Sequence, residues 1–284
     1  MSRVVLAALS CRPLRLVTTL NALTRWLRAY GPVAAVYVLL ILLWQSSSTF
    51  LNVPAYLLPP PSAILSRVGA NTGKVVEHSL TTLQEVLGGF ALGVAVSLPL
   101  GLLLVTSRSL ERLIYPLLVA FQAIPKVALA PILVVWFGFG PSSKVMLGFV
   151  TAMFPIVINT VIGLNQTPPE MLHLMRSLGA SRLQTFFKIR LFVAAPYIFG
   201  GFKVGITLAV VGAVVGEFIA SNGGLGFLLL TSNNAFDTPM LFGVVVILSI
   251  ISVALFYVVE LVETLVLPRP LRRKGGDVNP GAQG

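Results

Sequence analysis

The side chains able to do chemistry are few and far apart. Three charges, Lys126, Lys203 and Glu217, fall inside long apolar stretches, where a charge is expensive and usually functional. Two histidines, His78 and His173, and a single cysteine, Cys11, complete the residues suited to metals or nucleophilic attack. One cysteine excludes an intrachain disulfide and a multi-cysteine metal site. The run Val4 to Leu9 before Cys11 is shorter than a signal-peptide core of about 7–15 residues, so Cys11 reads as incidental. There is no G-x-x-x-x-G-K-[ST] phosphate loop. GFGPSSK at 138–144 has the wrong spacing. Neither a G-x-S-x-G elbow nor an H-E-x-x-H pair occurs. These patterns predict a chain that is not itself an enzyme and carries no cofactor.

The surroundings of those charges set the class. Hydrophobic types make up 56% of the 284 residues and charged types 10%. A soluble domain carries about 25% charged residues, so this chain cannot cover a soluble surface of its size. An all-α polytopic membrane protein is expected, with six spans at roughly 30–47, 84–106, 113–137, 143–165, 191–219 and 239–266. The net charge of +11 sits in connecting loops and tails, which argues for membrane orientation and against nucleic acid. Lys and Arg gather in the tail 1–29, after spans two and four, and beyond residue 268. The opposite side carries Arg67, Lys74 and Lys144. The positive-inside rule then places both termini and the loop 167–190 in the cytoplasm. His78 and His173 fall on opposite sides and share no metal. Pro59, Pro60 and Pro61 break any helix in the outer segment 48–83, and Ser62 starts a short surface helix. The Gly-rich tail from Gly275 is expected to be disordered.

Lys203 and Glu217 each lie near a span end. They either snorkel to the interface or act inside the membrane. Lys126 is nearer mid-span, between Pro125 and Pro131. A broken helix there is tolerated where it faces protein or a watery path. A ladder of buried carboxylates, expected of a proton-driven carrier, is missing.

The stretch TPPEMLHLMRSLGASRLQTFFKIR, 167–190, interrupts the apolar chain. Thr167 is expected to cap a helix that opens at Pro168, with Glu170 closing a capping box. Met171, Leu174, Met175 and Leu178 form one apolar face. Gly179 suits the left-handed turn that ends a helix. Ser181 to Gln184 reads as a second capping box. Two short helices around a glycine are marginal alone and need a docking surface. From the residues alone, that surface is either the lipid interface or a partner protein.

This loop resembles the cytoplasmic loop of type I ABC-importer permeases, in the nitrate/sulfonate/taurine branch. The family's Glu-Ala-Ala triplet aligns with His173, Leu174 and Met175, followed by Gly179. Ile189 and Leu191 match further on, and Phe192 stands where the family has proline. RSLGAS (176–181), APYIFGG (195–201), LPPPSAIL (58–65), HSLTTLQEVLGGFALG (78–93), AIPKVALAPILVVWFGFG (123–140), FPIVINTVIGL (154–164) and VVGEFIASNGGLGFLLL (214–230) are similar to that branch, in order. The resemblance spans about 30–268 and implies a permease domain there, with tails at 1–29 and 269–284. It implies a multi-pass protein of a prokaryotic cell membrane that conducts a small solute. The solute would be an anion such as sulfonate, taurine or nitrate, or else a thiamine-pyrimidine precursor or similar heterocycle. The implied partners are a separate ATPase carrying ATP and Mg, an extracytoplasmic binding protein, a second permease copy and the lipid bilayer. Glu170, His173, Leu174, Met175, Arg176, Gly179 and Ser181 become the candidate ATPase-coupling residues. Gln122, Pro125, Lys126 and Glu217 become the candidate translocation path.

Overall fold

The computed structural model describes residues 31–32, 35–46, 54 and 56–267; the tails 1–29 and 269–284 lie outside the described residues. Every regular element among those residues is helical. Two compact units divide at Ser66/Arg67. In the first, helix α1 (Ala35–Ser46) is apolar but short. There Gln45 donates to Ser62 Oγ and accepts from the Ser62 amide, both at 3.2 Å. The expected first span, 30–47, is thus represented by its centre. Helix α2 (Pro61–Ala70) follows the proline run.

The second unit contains α3 (Thr72–Thr106), α4 (Arg108–Ala123), α5 (Lys126–Phe137), α6 (Pro141–Asn165), α7 (Pro169–Ser177), α8 (Arg182–Thr185), α9 (Leu191–Ala220), α10 (Leu225–Asn234) and α11 (Thr238–Val266). A π turn, Phe186–Arg190, fuses α8 to α9. Among the described residues, four helical stretches are long and apolar enough to cross a membrane, namely α3, α6, α8–α9 and α11. A fifth exists if α4 and α5 count as one span bent by 95°. The expected continuous span 113–137 is therefore corrected to two helices. The cause is local: Pro125 drives Ile124 out of the helical region, to ψ 128°. The expected second span also lengthens, because its polar first turns (72–83) are helical though not oily.

The centre of this unit is α3, α6 and α9, packed through small residues. Lipid tails are as apolar as leucine, so membrane helices associate by close packing more than by a hydrophobic drive. Glycine makes that approach possible. A Cβ on Gly212 would lie 2.7 Å from the Leu147 carbonyl oxygen, and one on Gly89 would lie 2.8 Å from that of Val145. Val86, Ala152, Ile156, Ile206, Ala209 and Ala213 fill the space between. We expect Gly212→Val to force α6 and α9 apart. The predicted loss is about 1–3 kcal/mol, typical of overpacking, seen as a lower thermal midpoint in detergent.

Candidate functional site

Two regions at opposite ends of α6 and α9 carry the polar residues. The first is the connection from α6 to α9. Helix α7 has no buried residue. Met171 and Leu174 are exposed on it, Leu174 at 59%, and Leu178, which caps its C-terminus, is 71% exposed. Glu170, His173 and Arg176 are also exposed, while Met175 is half-buried. The helix ends in a Schellman turn. The Ala180 amide donates to Met175 O and the Gly179 amide to Arg176 O, each at 3.0 Å. Gly179 has φ +70°, the left-handed region that side-chain-bearing residues avoid. Ser181 then caps α8. Its Oγ accepts from the Gln184 amide at 3.2 Å, and Gln184 Oε1 accepts from the Ser181 amide at 2.9 Å.

Two expectations about this segment are corrected. Thr167 does not cap α7: the helix starts at Pro169 without a side-chain cap, and Thr167 Oγ1 donates back to Leu164 O. With prolines at both 168 and 169, the first turn has few free amides to cap. The second short helix is also no separate piece, because the π turn carries it into the span. A π turn inserts an extra residue and often marks a functional site.

The second region lies where α6 begins and α9 ends. Helix α10 starts at Gly224 with no capping side chain of its own, leaving orphan amides. Three side chains from two other helices supply acceptors. His78 Nδ1 takes the Gly224 amide at 3.0 Å, and Thr82 Oγ1 takes that of Leu225 at 2.7 Å. Glu217 Oε2 takes the Gly226 amide at 2.5 Å, while its Oε1 accepts from the Thr82 hydroxyl at 2.6 Å. Beside this latch, Lys144 Nζ donates to Ser221 Oγ at 2.8 Å and lies 3.3 Å from Glu85 Oε1. Ser221 Oγ in turn bonds the Gly223 carbonyl. Thr82, Glu85, Lys144 and Glu217 are all buried.

Both intramembrane charges near span ends have partners within the protein. Glu217 is 1% exposed, drawn inward by the α10 amides. Lys203 Nζ pairs with Glu263 at 2.7 Å and lies 3.8 Å from Glu260. At the α4–α5 bend, Lys126 Nζ donates to the Gln122 carbonyl at 3.0 Å, beside Pro125. The structure thus gathers Gln122, Pro125 and Lys126 at one break and sets Glu217 in a different network. Sequence reasoning missed Glu85 and Lys144. Lys144 was assigned to an outer loop, yet it is the fourth residue of α6 and is buried. The available signal was an acid in the apolar run of α3 and a lysine at the N-terminal turn of α6.

Comparisons with known proteins fit this architecture. Residues 91–272 match the family described as "Binding-protein-dependent transport system inner membrane component". The chain is 38% identical to the riboflavin transport system permease protein RibX of Chloroflexus aurantiacus, over 81% of this chain and 87% of that protein. It is 35% identical to the formylaminopyrimidine transport permease protein ThiX of Halalkalibacterium halodurans, over 82% of this chain and 93% of that one. It superposes on a chain of an inward-facing MetNI methionine ABC transporter with a TM-score of 0.62 and 20% identity, covering 70% of this chain and 99% of that one.

Proposed function

The chain belongs to the binding-protein-dependent transport system inner membrane component family, and from that premise we propose how its parts work in an ATP-driven importer. It is a transport subunit whose ATPase is a separate partner. The loop 167–190 docks into that ATPase on the cytoplasmic face, and both termini lie on the same side. Two copies pair to enclose the path. A binding protein delivers solute to the end that holds Glu217 and Lys144. Binding of ATP on the ATPase pair draws the docked loops together, and the loops carry that motion into the spans.

The observation that carries this reading is α7 itself. A helix with no buried residue and three exposed apolar side chains on it and at its C-cap is unstable in isolation and is shaped to fill a groove. The positive-inside distribution supports its cytoplasmic side. His173 stands where the family has an acid, so Met171, Leu174 and Leu178 become the principal contacts. We expect Leu174→Ala to weaken ATPase binding about fivefold, the loss of roughly 1 kcal/mol for one apolar anchor. Co-purification of the ATPase at graded salt checks this. An undiminished yield would move the dock elsewhere.

For the solute, we favour a nitrogen heterocycle. Names of relatives 35% and 38% identical specify formylaminopyrimidine and riboflavin. The anion alternative leans on Lys126, whose ammonium is engaged at the helix break by the Gln122 carbonyl.

A further inference from the structure

Phe236, in the turn between α10 and α11, is the only residue other than glycine among the described residues with a positive φ, 55°. It is also the most exposed large apolar side chain among them, at 89%. The turn is of the Schellman type. The Phe236 amide donates to Asn233 O at 3.1 Å and the Asp237 amide to Ser232 O at 2.9 Å. Glycine is the usual occupant of the left-handed position in such a turn, and a bulky residue there is strained. A ring this exposed returns no packing to the fold. Strain kept at a surface position points to a task outside the chain.

The setting of the ring narrows that task. Leu225, at the start of α10, clusters with Met240 and Val244 of α11. Only residues 235–237 join the two helices, so they form a hairpin with Phe236 at its tip. Val244 is six residues into α11, which puts the tip about 9 Å beyond Leu225 along that helix. Glu263, near the other end of α11, pairs with Lys203 in the half of α9 closer to α7. The tip therefore points away from α7. Exposed Asn233 and Asn234 flank the ring. So does Asp237, which accepts from the Met240 amide at 3.2 Å and pairs with Arg67 at 2.6 Å. Those contacts hold the tip in place. Sinking this collar into lipid would strip water from every polar group in it. An aromatic side chain inside a polar rim is instead the make-up of a protein–protein hot spot, and a preorganised one binds at a lower ordering cost.

We propose that Phe236 is the anchor by which the solute-binding protein docks on this chain, its ring entering an apolar pocket of that protein while Asn233, Asn234 and the Arg67–Asp237 pair meet polar groups around it. This rests on the importer reading, which places the tip outside, where that protein arrives. Helix α10 then joins the dock to the Glu217 latch at its other end.

The test uses the complete importer, permease and ATPase, in nanodiscs, titrated with its own binding protein as purified with its bound solute. Phe236→Ala should raise the binding-protein concentration for half-maximal ATP hydrolysis about tenfold, with the unstimulated and saturated rates unchanged. Phe236→Gly should show the same loss together with a higher thermal midpoint, since glycine is at ease at φ 55°. In a Cys11→Ala background, Phe236→Cys should react with a water-soluble maleimide, and saturating binding protein should slow that reaction. Unchanged half-saturation in the Ala and Gly variants overturns the anchor. So does a maleimide-silent Phe236→Cys, which would place the position in lipid. A wild type that its binding protein fails to stimulate overturns the importer reading itself, a result distinct from stimulation that is indifferent to residue 236.

Discussion

Gly179→Val should cut binding-protein-stimulated ATP hydrolysis and uptake about tenfold or more while leaving the protein in the membrane at normal levels. The site has φ +70°, and nothing lies within 4 Å of where a Cβ would be. The penalty is thus purely one of backbone conformation, about 1–2 kcal/mol for an L-residue and more for a β-branched one. Helix α7 has no buried residue to resist that strain. Its direction is set by the Schellman turn and by the capped start of α8. A strain of that size shifts an equilibrium by a factor of about 5–30, so α7 would leave the orientation that docks. The span core, built on α3, α6 and α9, is untouched. Gly179→Asn provides the control, since asparagine tolerates the left-handed region and should keep most of the activity. Equal activity of the Val and Asn variants would show that the joint's geometry is not used in coupling.

The joint was readable because its signals are local. Gly179, the Ser181–Gln184 box and the apolar positions of α7 lie within a dozen residues, and short-range rules cover them. Thr167 shows the limit even there. The capping rule assumes free amides in the first turn, and two successive prolines remove them. The bend at Ile124 was half-legible: Pro125 announced a break, while hydropathy across 113–137 concealed how sharp it was. Helix α10 was not anticipated. Its ten residues are too few for a span.

The network at the far end was beyond sequence reading for a different reason. Thr82 and Glu217 are 135 residues apart, and His78 and Gly224 are 146 apart. Each residue alone has an ordinary explanation, and Glu217 near a span end looked free to snorkel. Only the parallel packing of α3 against α6, and the antiparallel packing of α6 against α9, brings these side chains to one level. The same packing buries Lys144, whose backbone lies where a Cβ on Gly216 would come within 3.1 Å. These glycines thus encode proximity that their spacing does not reveal.

Glu217→Ala is expected to unfold the latch and much of the subunit with it. The change removes the acceptor of the Gly226 amide and the partner of the Thr82 hydroxyl, and it leaves a void at a position 1% exposed. Lys144 would keep only the long contact with Glu85 to balance its charge. Breaking a buried charged network costs about 3–5 kcal/mol, a large share of a total stability of about 5–15 kcal/mol. The measurable result is loss of the monodisperse peak in detergent and a markedly lower thermal midpoint. Glu217→Gln separates charge from hydrogen bonding. Its carbonyl oxygen can accept from the Gly226 amide, and its NH₂ can donate to Thr82 Oγ1. The Thr82 hydroxyl then turns to His78 O, already 3.2 Å away. Glutamine should therefore recover most of the stability, whereas Gly224→Ala should not, because its Cβ would fall on the Glu217 carboxylate. If alanine at 217 were as stable as the wild type, α10 would have to be held by its apolar contacts alone, through Leu225 against Val75, Met240 and Val244.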